Sequence, residues 1–273
     1  MSVMGAPIVA DAAAAADPER RFGGLRRLYG DADYACVRSA RIAVVGLGGV
    51  GSWTAEALAR SGVAALRLID FDHVAESHVN RQVQALGSTL GMAKGDALKQ
   101  RIADIHPGCD VRVVDAFVDA QNWPGLLGQE PVDAVIDACD DVRAKLVLAA
   151  WARERATPLV IVGAAGGKRR PQEVAVADLA EATHDPLLAA LRQRLRRQYG
   201  APATGRLALA SVFSREAVHR PKDVEAGCDF DGGLNCHGYG SSVGVTATFG
   251  MVAACEALRL LTTARRNARQ PSG

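Results

Sequence analysis

The sequence contains no C-x-x-C pair, although it has six cysteines among its 273 residues. Cysteines paired at that spacing are common ligands of structural zinc, so a zinc module of this kind is not indicated. The scattered positions do not indicate a disulfide framework either. We therefore expect reduced thiols and a cytoplasmic protein.

The chain also lacks a strong charge excess and an uninterrupted apolar run. Its formal net charge is +2, so any attraction to nucleic acid must come from local clusters of arginine and lysine. The stretch 243–261 is nearly long enough to cross a bilayer, but Glu256 and Arg259 lie inside it, and we expect a buried helix instead. Residues 1–18 have no signal-peptide pattern and are predicted to be a disordered tail.

An alternation of short β-branched runs with longer helical stretches begins at Arg41. This pattern predicts an α/β fold with a Rossmann-like, mostly parallel sheet, helices on both faces and a C-terminal extension of the sheet. The predicted strands are 41–46, 64–70, 111–117, 132–138, 157–163, 174–179 and 207–213, and the predicted helices include 50–61, 94–105 and 186–200. We expect one domain over 19–273, with a nucleotide half at about 41–167 and a substrate- or RNA-facing half at about 168–263.

A glycine-rich turn lies between the first strand and its helix. The glycines Gly46, Gly48, Gly49 and Gly51 let the backbone approach a phosphate, and the helix N-terminus offers free N–H groups. Asp70 ends the next strand, where an acidic side chain typically accepts hydrogen bonds from ribose hydroxyls. These features predict a nucleotide site, for which NAD is the default ligand.

Two basic residues favour ATP over NAD. Arg81 supplies bidentate oxygen contacts and Lys94 a point charge, which together suit a triphosphate better than a dinucleotide. Asp137 and Asp140 follow the fourth strand, and a carboxylate there can hold Mg²⁺ on the phosphates. Asp140 is the predicted metal ligand, while Asp141 has the position of a helix N-cap.

Taken together, these segments resemble the ThiF/MoeB/HesA superfamily of ubiquitin-activating-like enzymes. The resemblance implies a ThiF-type adenylation domain that uses ATP and Mg²⁺, with Asp70 at the ribose, Arg81 and Lys94 at the phosphates and Asp140 at the metal. One departure is His78, which stands where the superfamily usually has asparagine. We expect Arg81, Lys94 and Asp140 to be catalytic, and the expected nucleotide-binding residues are Gly46, Gly48, Gly49, Gly51, Asp70, Asp72, Asn80, Arg81, Gln82, Lys94 and Asp137.

Within the superfamily, the segments 21–30, 80–94, 163–167 and 184–197 are similar to the dehydratase branch. Members of that branch dehydrate threonylcarbamoyladenosine at position 37 of tRNA to a cyclic form through a carboxyl-adenylate, and they lack paired zinc cysteines. The resemblance further implies a homodimer in which Arg21 could reach the partner's ATP site, and possible sulfur-relay partner proteins. The candidate substrate or RNA contacts are Lys168, Arg169, Arg192, Arg196, Cys236 and His237.

Other interpretations remain open at this point. The basic residues of 186–200 could form an ordinary solvated helix face, and Arg21 could pack within its own subunit. Cys228 and Cys236 have no evident thiolate-stabilising surroundings, and His184, His219 and His237 have no ligand-spaced partner. The chain could instead activate a sulfur-carrier or ubiquitin-like protein, act as an NAD-dependent oxidoreductase, or sense a nucleotide without turnover.

Overall fold

The computed structural model describes residues 16–219 and 239–269. Seven strands form one sheet: β1 (Arg41–Val45), β2 (Ala65–Ile69), β3 (Asp110–Val114), β4 (Ala134–Asp137), β5 (Leu159–Val162), β6 (Val174–Asp178) and β7 (Ala210–Ser214). Their order is β3-β2-β1-β4-β5-β7-β6, and every neighbouring pair is parallel except β6 with β7. The predicted α/β fold with a mostly parallel sheet is therefore confirmed.

Helices cover both faces of this sheet. They are α1 (Pro18–Tyr29), α2 (Asp31–Ser39), α3 (Gly51–Arg60), α4 (Lys94–Ile105), α5 (Val142–Arg155), α6 (Pro186–Gln198) and α7 (Val243–Arg269). Helix α1 begins with a proline, and the Asp17 side chain accepts the N–H groups of Glu19 and Arg20, which is a favourable N-terminal cap. Residues 1–15 of the predicted tail lie outside the described part of the chain.

The sheet is buried between two apolar clusters. On one face α3 and α7 pack against side chains such as Val44 and Leu68, and on the other α5 and α6 pack against side chains such as Val45 and Ile161. Burial on both faces explains why these strands are apolar runs without alternation. The order of strands reverses at β1, which lies between β2 and β4, and ligands of open α/β sheets bind at such a point.

Helix α7 has two properties that bear on the membrane question. The part from Val243 to Ala268 is long and apolar enough to span a bilayer by length and composition alone, yet half of its most apolar window is buried in this fold. Gly250 lies so close to α3 that an added Cβ would sit 2.6 Å from the carbonyl oxygen of Val50. Helix α7 therefore packs against α3 with part of its surface, while the other half of that window is not buried in this fold.

The main difference from the prediction concerns the last strand, which begins at Ala210 and not at residue 207. Asp178 explains the difference, because its carboxylate accepts the backbone N–H of Leu207 and draws that segment out of the strand. Leu207 and Leu209 are nevertheless buried. Their apolar character reflects packing beside the sheet, which a sequence pattern cannot distinguish from a strand.

Candidate active site

A cavity of about 860 Å³ opens at the carboxyl ends of β1, β2, β4 and β5. Its volume is in the range typical of small-molecule sites. Most of the predicted nucleotide-binding residues line it. They are Gly46, Gly48, Gly49, Asp70, Asp72, Arg81, Gln82 and Lys94, and the predicted metal ligand Asp140 lines the cavity as well.

The glycine turn forms one wall of the cavity. Gly46 has a positive φ of 83°, and a Cβ there would approach the backbone of Cys139 to 2.8 Å. Above Gly48 there is open space, because a Cβ would meet no atom within 4 Å. Gly51 does not line the cavity, which corrects its predicted role: an added Cβ would overlap the carbonyl oxygen of Gly46, so the residue lets α3 start tightly against the turn.

Two carboxylates continue the wall after β2. Asp70 accepts the backbone N–H of Leu47 at 2.5 Å and that of Asp72 at 2.8 Å, one on each oxygen. Each carboxylate oxygen has a further lone pair, so Asp70 can still accept ribose hydroxyls. Asp72 pairs with Lys94 at 2.7 Å between Oδ2 and Nζ. The ammonium group is thereby held beside the glycine turn.

Arg81 is held by several contacts. Its Nη1 donates to Ser77 O at 2.8 Å and to Asn80 Oδ1 at 3.0 Å, and its own carbonyl accepts the indole N–H of Trp53 at 2.9 Å. Within residues 16–219 and 239–269, its buried Nε has no hydrogen-bond partner. Asn80 does not line the cavity, which corrects the prediction. Its Nδ2 instead donates to Ser241 O at 3.0 Å, so Asn80 positions Arg81.

Three acidic residues lie at the end of β4 or just after it, and they have different surroundings. Asp140, the predicted metal ligand, is exposed and lines the cavity. Asp141 also lines the cavity and caps α5 by accepting Arg143 N at 2.8 Å. Asp137 is wrong as a nucleotide contact, because it is fully buried and pairs with Lys145 at 3.0 Å instead of lining the cavity. The strand pattern predicts a buried residue there, but no feature of the sequence identifies the lysine as its partner.

Sequence reasoning missed an aromatic pair at the mouth of the cavity. Phe71 and Phe117 are 49% and 65% exposed, and their ring centroids are 4.3 Å apart. Each follows the end of a strand, β2 or β3, and that position is the signal that could have identified them. Exposed aromatic rings beside a nucleotide cavity can stack on a base. Arg143 was also missed, although its 86% exposed side chain lines the same cavity.

Three of the predicted RNA contacts are engaged within the fold. Lys168 is wrong as a surface contact, because it is buried and its Nζ donates to the carbonyl oxygens of His184 and Glu216. Arg192 donates to Leu179 O and Ala182 O at 3.0 Å each, and Arg196 donates to Pro202 O at 3.1 Å.

Arg169 is exposed. Its backbone N–H donates to the Glu216 carboxylate, and its side chain has no hydrogen bond to any residue that the structure describes. Its side chain is therefore available to solvent.

Arg21 and the remaining candidates have the following positions. The Nη1 of Arg21 donates to the carbonyl oxygens of Asp104 and Ile105 at 3.0 and 2.5 Å, which caps the C-terminus of α4 within the same chain. His219 pairs with Glu216 at 2.8 Å. The other candidates, Cys228, Cys236 and His237, lie outside the described residues.

The side chains around the glycine turn suit ATP bound with magnesium. Among residues 16–219 and 239–269, no group of three or more His, Cys, Asp and Glu side chains could hold a metal by itself. Mg²⁺ bound with a nucleotide usually needs only one or two carboxylates, because phosphates and waters complete its shell. Asp140, Arg81 and Lys94 around an open glycine turn therefore fit a magnesium-bound triphosphate.

The fold and the cavity together define an α/β nucleotide-binding protein with its ligand site at the point where the strand order reverses. Comparison with known proteins identifies the family. Residues 24–272 match the ThiF family, and the chain belongs to it.

Its relatives include curated and structurally known proteins. The tRNA threonylcarbamoyladenosine dehydratase of Escherichia coli (strain K12) is 43% identical over 249 residues, covering 88% of this chain and 92% of the relative. The protein of the same name from Haemophilus influenzae is 39% identical over 238 residues, covering 86% and 90%. The crystal structure of the E. coli dehydratase in complex with ATP has a TM-score of 0.81 and 40% identity, covering 97% of this chain and all of that one.

Proposed function

We propose that this chain is an ATP-dependent tRNA threonylcarbamoyladenosine dehydratase, which activates the carboxylate of the modified nucleoside as an adenylate and closes it to a cyclic product. The observation that carries the proposal is the 43% identity to the E. coli dehydratase over 92% of that protein. The cavity supports it, because Asp70, Arg81, Lys94 and Asp140 all line one space.

The first step solves a leaving-group problem, because a carboxylate cannot expel oxide at neutral pH. The substrate carboxylate attacks the α-phosphate of ATP, and pyrophosphate leaves. Arg81 and Lys94 stabilise the charge that develops on the departing phosphates, and their fixed hydrogen bonds limit the reorganisation this requires. Asp140 would hold Mg²⁺, which would supply charge neutralisation at the phosphates.

The second step is an attack by the carbamoyl group of the same nucleoside on the activated carbonyl, with AMP as the leaving group. This ring closure gains from proximity and needs no protein nucleophile. The thiols near the sheet are poor nucleophiles, because burial raises the pKa of Cys109 to about 12 and the pKa of Cys139 well above its ordinary value. The Cys139 thiol also donates to Asp137 at 2.9 Å.

The decisive experiment is mass spectrometry of nucleosides from threonylcarbamoyladenosine-containing tRNA, incubated with the purified protein, ATP and Mg²⁺. We expect the mass of the nucleoside to fall by one water. Lys94→Met should lower the rate by about 10²- to 10³-fold, since it removes one charged contact to the leaving group. Lys99→Met, an exposed lysine on the same helix, is the matched control and should retain the wild-type rate.

Further measurements distinguish the alternatives. A sulfur-carrier activator would catalyse exchange of pyrophosphate into ATP in the presence of a carrier protein ending in Gly-Gly, whereas we expect this exchange only in the presence of the modified tRNA. Tight binding of NAD with no affinity for ATP would support an oxidoreductase. ATP binding with unchanged tRNA nucleosides would favour a nucleotide sensor and contradict the dehydratase.

Magnesium dependence tests the role of Asp140. Asp140→Asn should raise the Mg²⁺ concentration needed for half-maximal rate, because the amide is a weaker ligand than a carboxylate. Asp141→Asn is the comparison, since its amide oxygen can still cap α5. An equal Mg²⁺ requirement in the Asp140 variant and the wild type would argue against the assignment.

We also propose a cytoplasmic homodimer that binds tRNA and can work with sulfur-relay proteins. The exposed apolar side chains of Val79, Leu86 and Leu90 on the segment after Asp72 supply a surface suited to a second copy. Arg143 and Arg169 are exposed and suited to tRNA phosphates. Sedimentation of the protein with Leu86→Glu should show a shift to monomer if this surface forms the dimer.

A further inference from the structure

One further wall of the cavity provides none of the contacts expected for ATP. At the carboxyl ends of the strands, Asp70 follows β2, the glycine turn follows β1, and Asp140 follows β4. The end of β5 comes next and carries Gly163–Gly166, which line the cavity together with Leu187 from the first turn of α6. This wall therefore lies next to Asp140, on the side away from Asp70.

Two buried side chains fasten the wall to the start of α6 in a reciprocal way. The Asp185 carboxylate accepts the backbone N–H of Ala164 at 2.8 Å and that of Leu188 at 3.0 Å. In return, the Nζ of Lys168 donates to the carbonyl oxygen of His184 at 2.9 Å. Each segment thus contributes one charged side chain that binds the backbone of the other.

The same lysine takes part in a second reciprocal contact. Its Nζ also donates to the carbonyl oxygen of Glu216, and the Glu216 carboxylate accepts the backbone N–H groups of Arg169 and Arg170 at 2.9 and 2.8 Å. Lys168, Asp185 and Glu216 are all buried. The segment after β5 is therefore fixed on both sides by buried charged groups.

These groups are costly to bury, so their placement requires a reason. Burial lowers the pKa of Lys168, while the charges of Asp185 and Glu216 oppose the effect. Burial likewise raises the pKa of Asp185, against the N–H bonds and nearby lysines. Apolar side chains would pack a wall at lower cost, but they would not fix backbone groups in one arrangement. Gly163 fits this purpose, because an added Cβ would overlap the Asp185 carboxylate.

We propose that Lys168 and Asp185 are positioning residues that hold the Gly163–Gly166 wall for the carboxylate-bearing nucleoside, and not for ATP. The proposal rests on the proposed function, since it assigns the wall to the second substrate of that reaction. The geometry favours this substrate because the expected ribose, phosphate and metal contacts come from the ends of β1, β2 and β4 and from Arg81 and Lys94, and none comes from the segment after β5.

The test measures kcat and KM separately for ATP and for threonylcarbamoyladenosine-containing tRNA, with Asp185→Ala, Asp185→Asn and Lys168→Met. We expect Asp185→Ala to lower kcat/KM for tRNA by about 10- to 100-fold, since a small displacement of a reacting group costs this much. KM for ATP should stay within about twofold of wild type. Asp185→Asn should be intermediate, because an amide oxygen replaces only one of two acceptors.

Asp178→Ala is the matched control. Asp178 is also buried and accepts two backbone N–H groups, those of Ala180 and Leu207, but neither of those two residues lines the cavity, whereas Ala164, held by Asp185, does. Asp178→Ala should change KM for ATP and KM for tRNA by the same factor. An equal rise in KM for ATP and for tRNA in Asp185→Ala would overturn the positioning role. So would an Asp178→Ala variant that is impaired for tRNA and not for ATP. If the wild type itself leaves the nucleoside unchanged, the proposed function fails instead.

Discussion

Lys145 allows a quantitative test of how the edge of the sheet is built. Its ammonium group is fully buried and donates to Asp137 Oδ1 at 3.0 Å and to Val162 O at 2.7 Å. It therefore joins the ends of β4 and β5 beneath the cavity. Lys145→Met keeps the length of the side chain but removes the charge, which leaves the Asp137 carboxylate buried without its cation.

Breaking one partner of a buried ion pair costs about 3–5 kcal/mol in the free energy of unfolding. Asp137 favours the upper part of this range, because its Oδ2 already has no hydrogen-bond partner among the residues described. Single domains are stable by about 5–15 kcal/mol, so the variant should still fold but unfold at a clearly lower urea concentration. The double variant Asp137→Asn/Lys145→Met removes both charges and should recover most of the loss.

The assay is urea unfolding at pH 7, followed by circular dichroism. Burial is the largest single influence on Lys145 and lowers its pKa, but the Asp137 charge, the hydrogen bond to Asp137 and the other nearby groups together raise it more, so the pKa lies above the ordinary 10.5. The stability from this pair is therefore complete at pH 7 and is lost only as the pH rises through that raised pKa. A Lys145→Met variant within about 1 kcal/mol of wild type would refute the reasoning, as would a double variant no more stable than the single one.

Three further outcomes are expected. Phe117→Ala should raise KM for ATP by roughly tenfold without lowering the melting temperature, if its exposed ring stacks on adenine; an unchanged KM would contradict this. Gly51→Ala should destabilise the protein by more than about 2 kcal/mol in urea unfolding because its Cβ would overlap Gly46, whereas Gly48→Ala should unfold like wild type. Burial raises the pKa of Glu216, but the backbone N–H groups of Arg169 and Arg170 and the contact with His219 together lower this pKa more, so it lies below the ordinary 4.5. The ionised Glu216 carboxylate therefore stabilises the fold above pH 4.5. This stabilisation is lost as the pH falls through the lowered pKa. Glu216→Gln should therefore show a flatter dependence of melting temperature on acid pH.

The sequence predicted the strands and the cavity wall formed by the glycine turn and Asp70 well, because local patterns determine them. The glycine turn between β1 and α3, and Asp70 at the end of β2, need only neighbours in the chain to be recognised. Arg81 and Lys94 were also placed correctly on the cavity, although the sequence alone could not show how Asn80 and Trp53 hold the arginine.

Long-range partners account for the errors. Lys168 stands in a run of three basic residues that resembles a solvated surface, but contacts with residues 184 and 216 place it in the interior. Asp137 was assigned to the ligand because it ends a strand, and its partner Lys145 lies eight positions later on a helix with an otherwise apolar buried face. Spacing along the chain does not identify these contacts, because they depend on how the following helix and the segments around residues 184 and 216 pack against the sheet.

The three lysines that are buried within residues 16–219 and 239–269 differ in the surroundings of their partners. Lys145 pairs with a carboxylate that is itself 0% exposed, so a ligand could replace that partner only by leaving a buried charge alone. Lys168 is held by two backbone carbonyls in the interior. Lys94, in contrast, is 5% exposed but pairs with Asp72, which is 54% exposed and can turn to water when a phosphate arrives. Of the three, only Lys94 can exchange its partner for an anion without leaving a buried charge, and it is the one that lines the cavity.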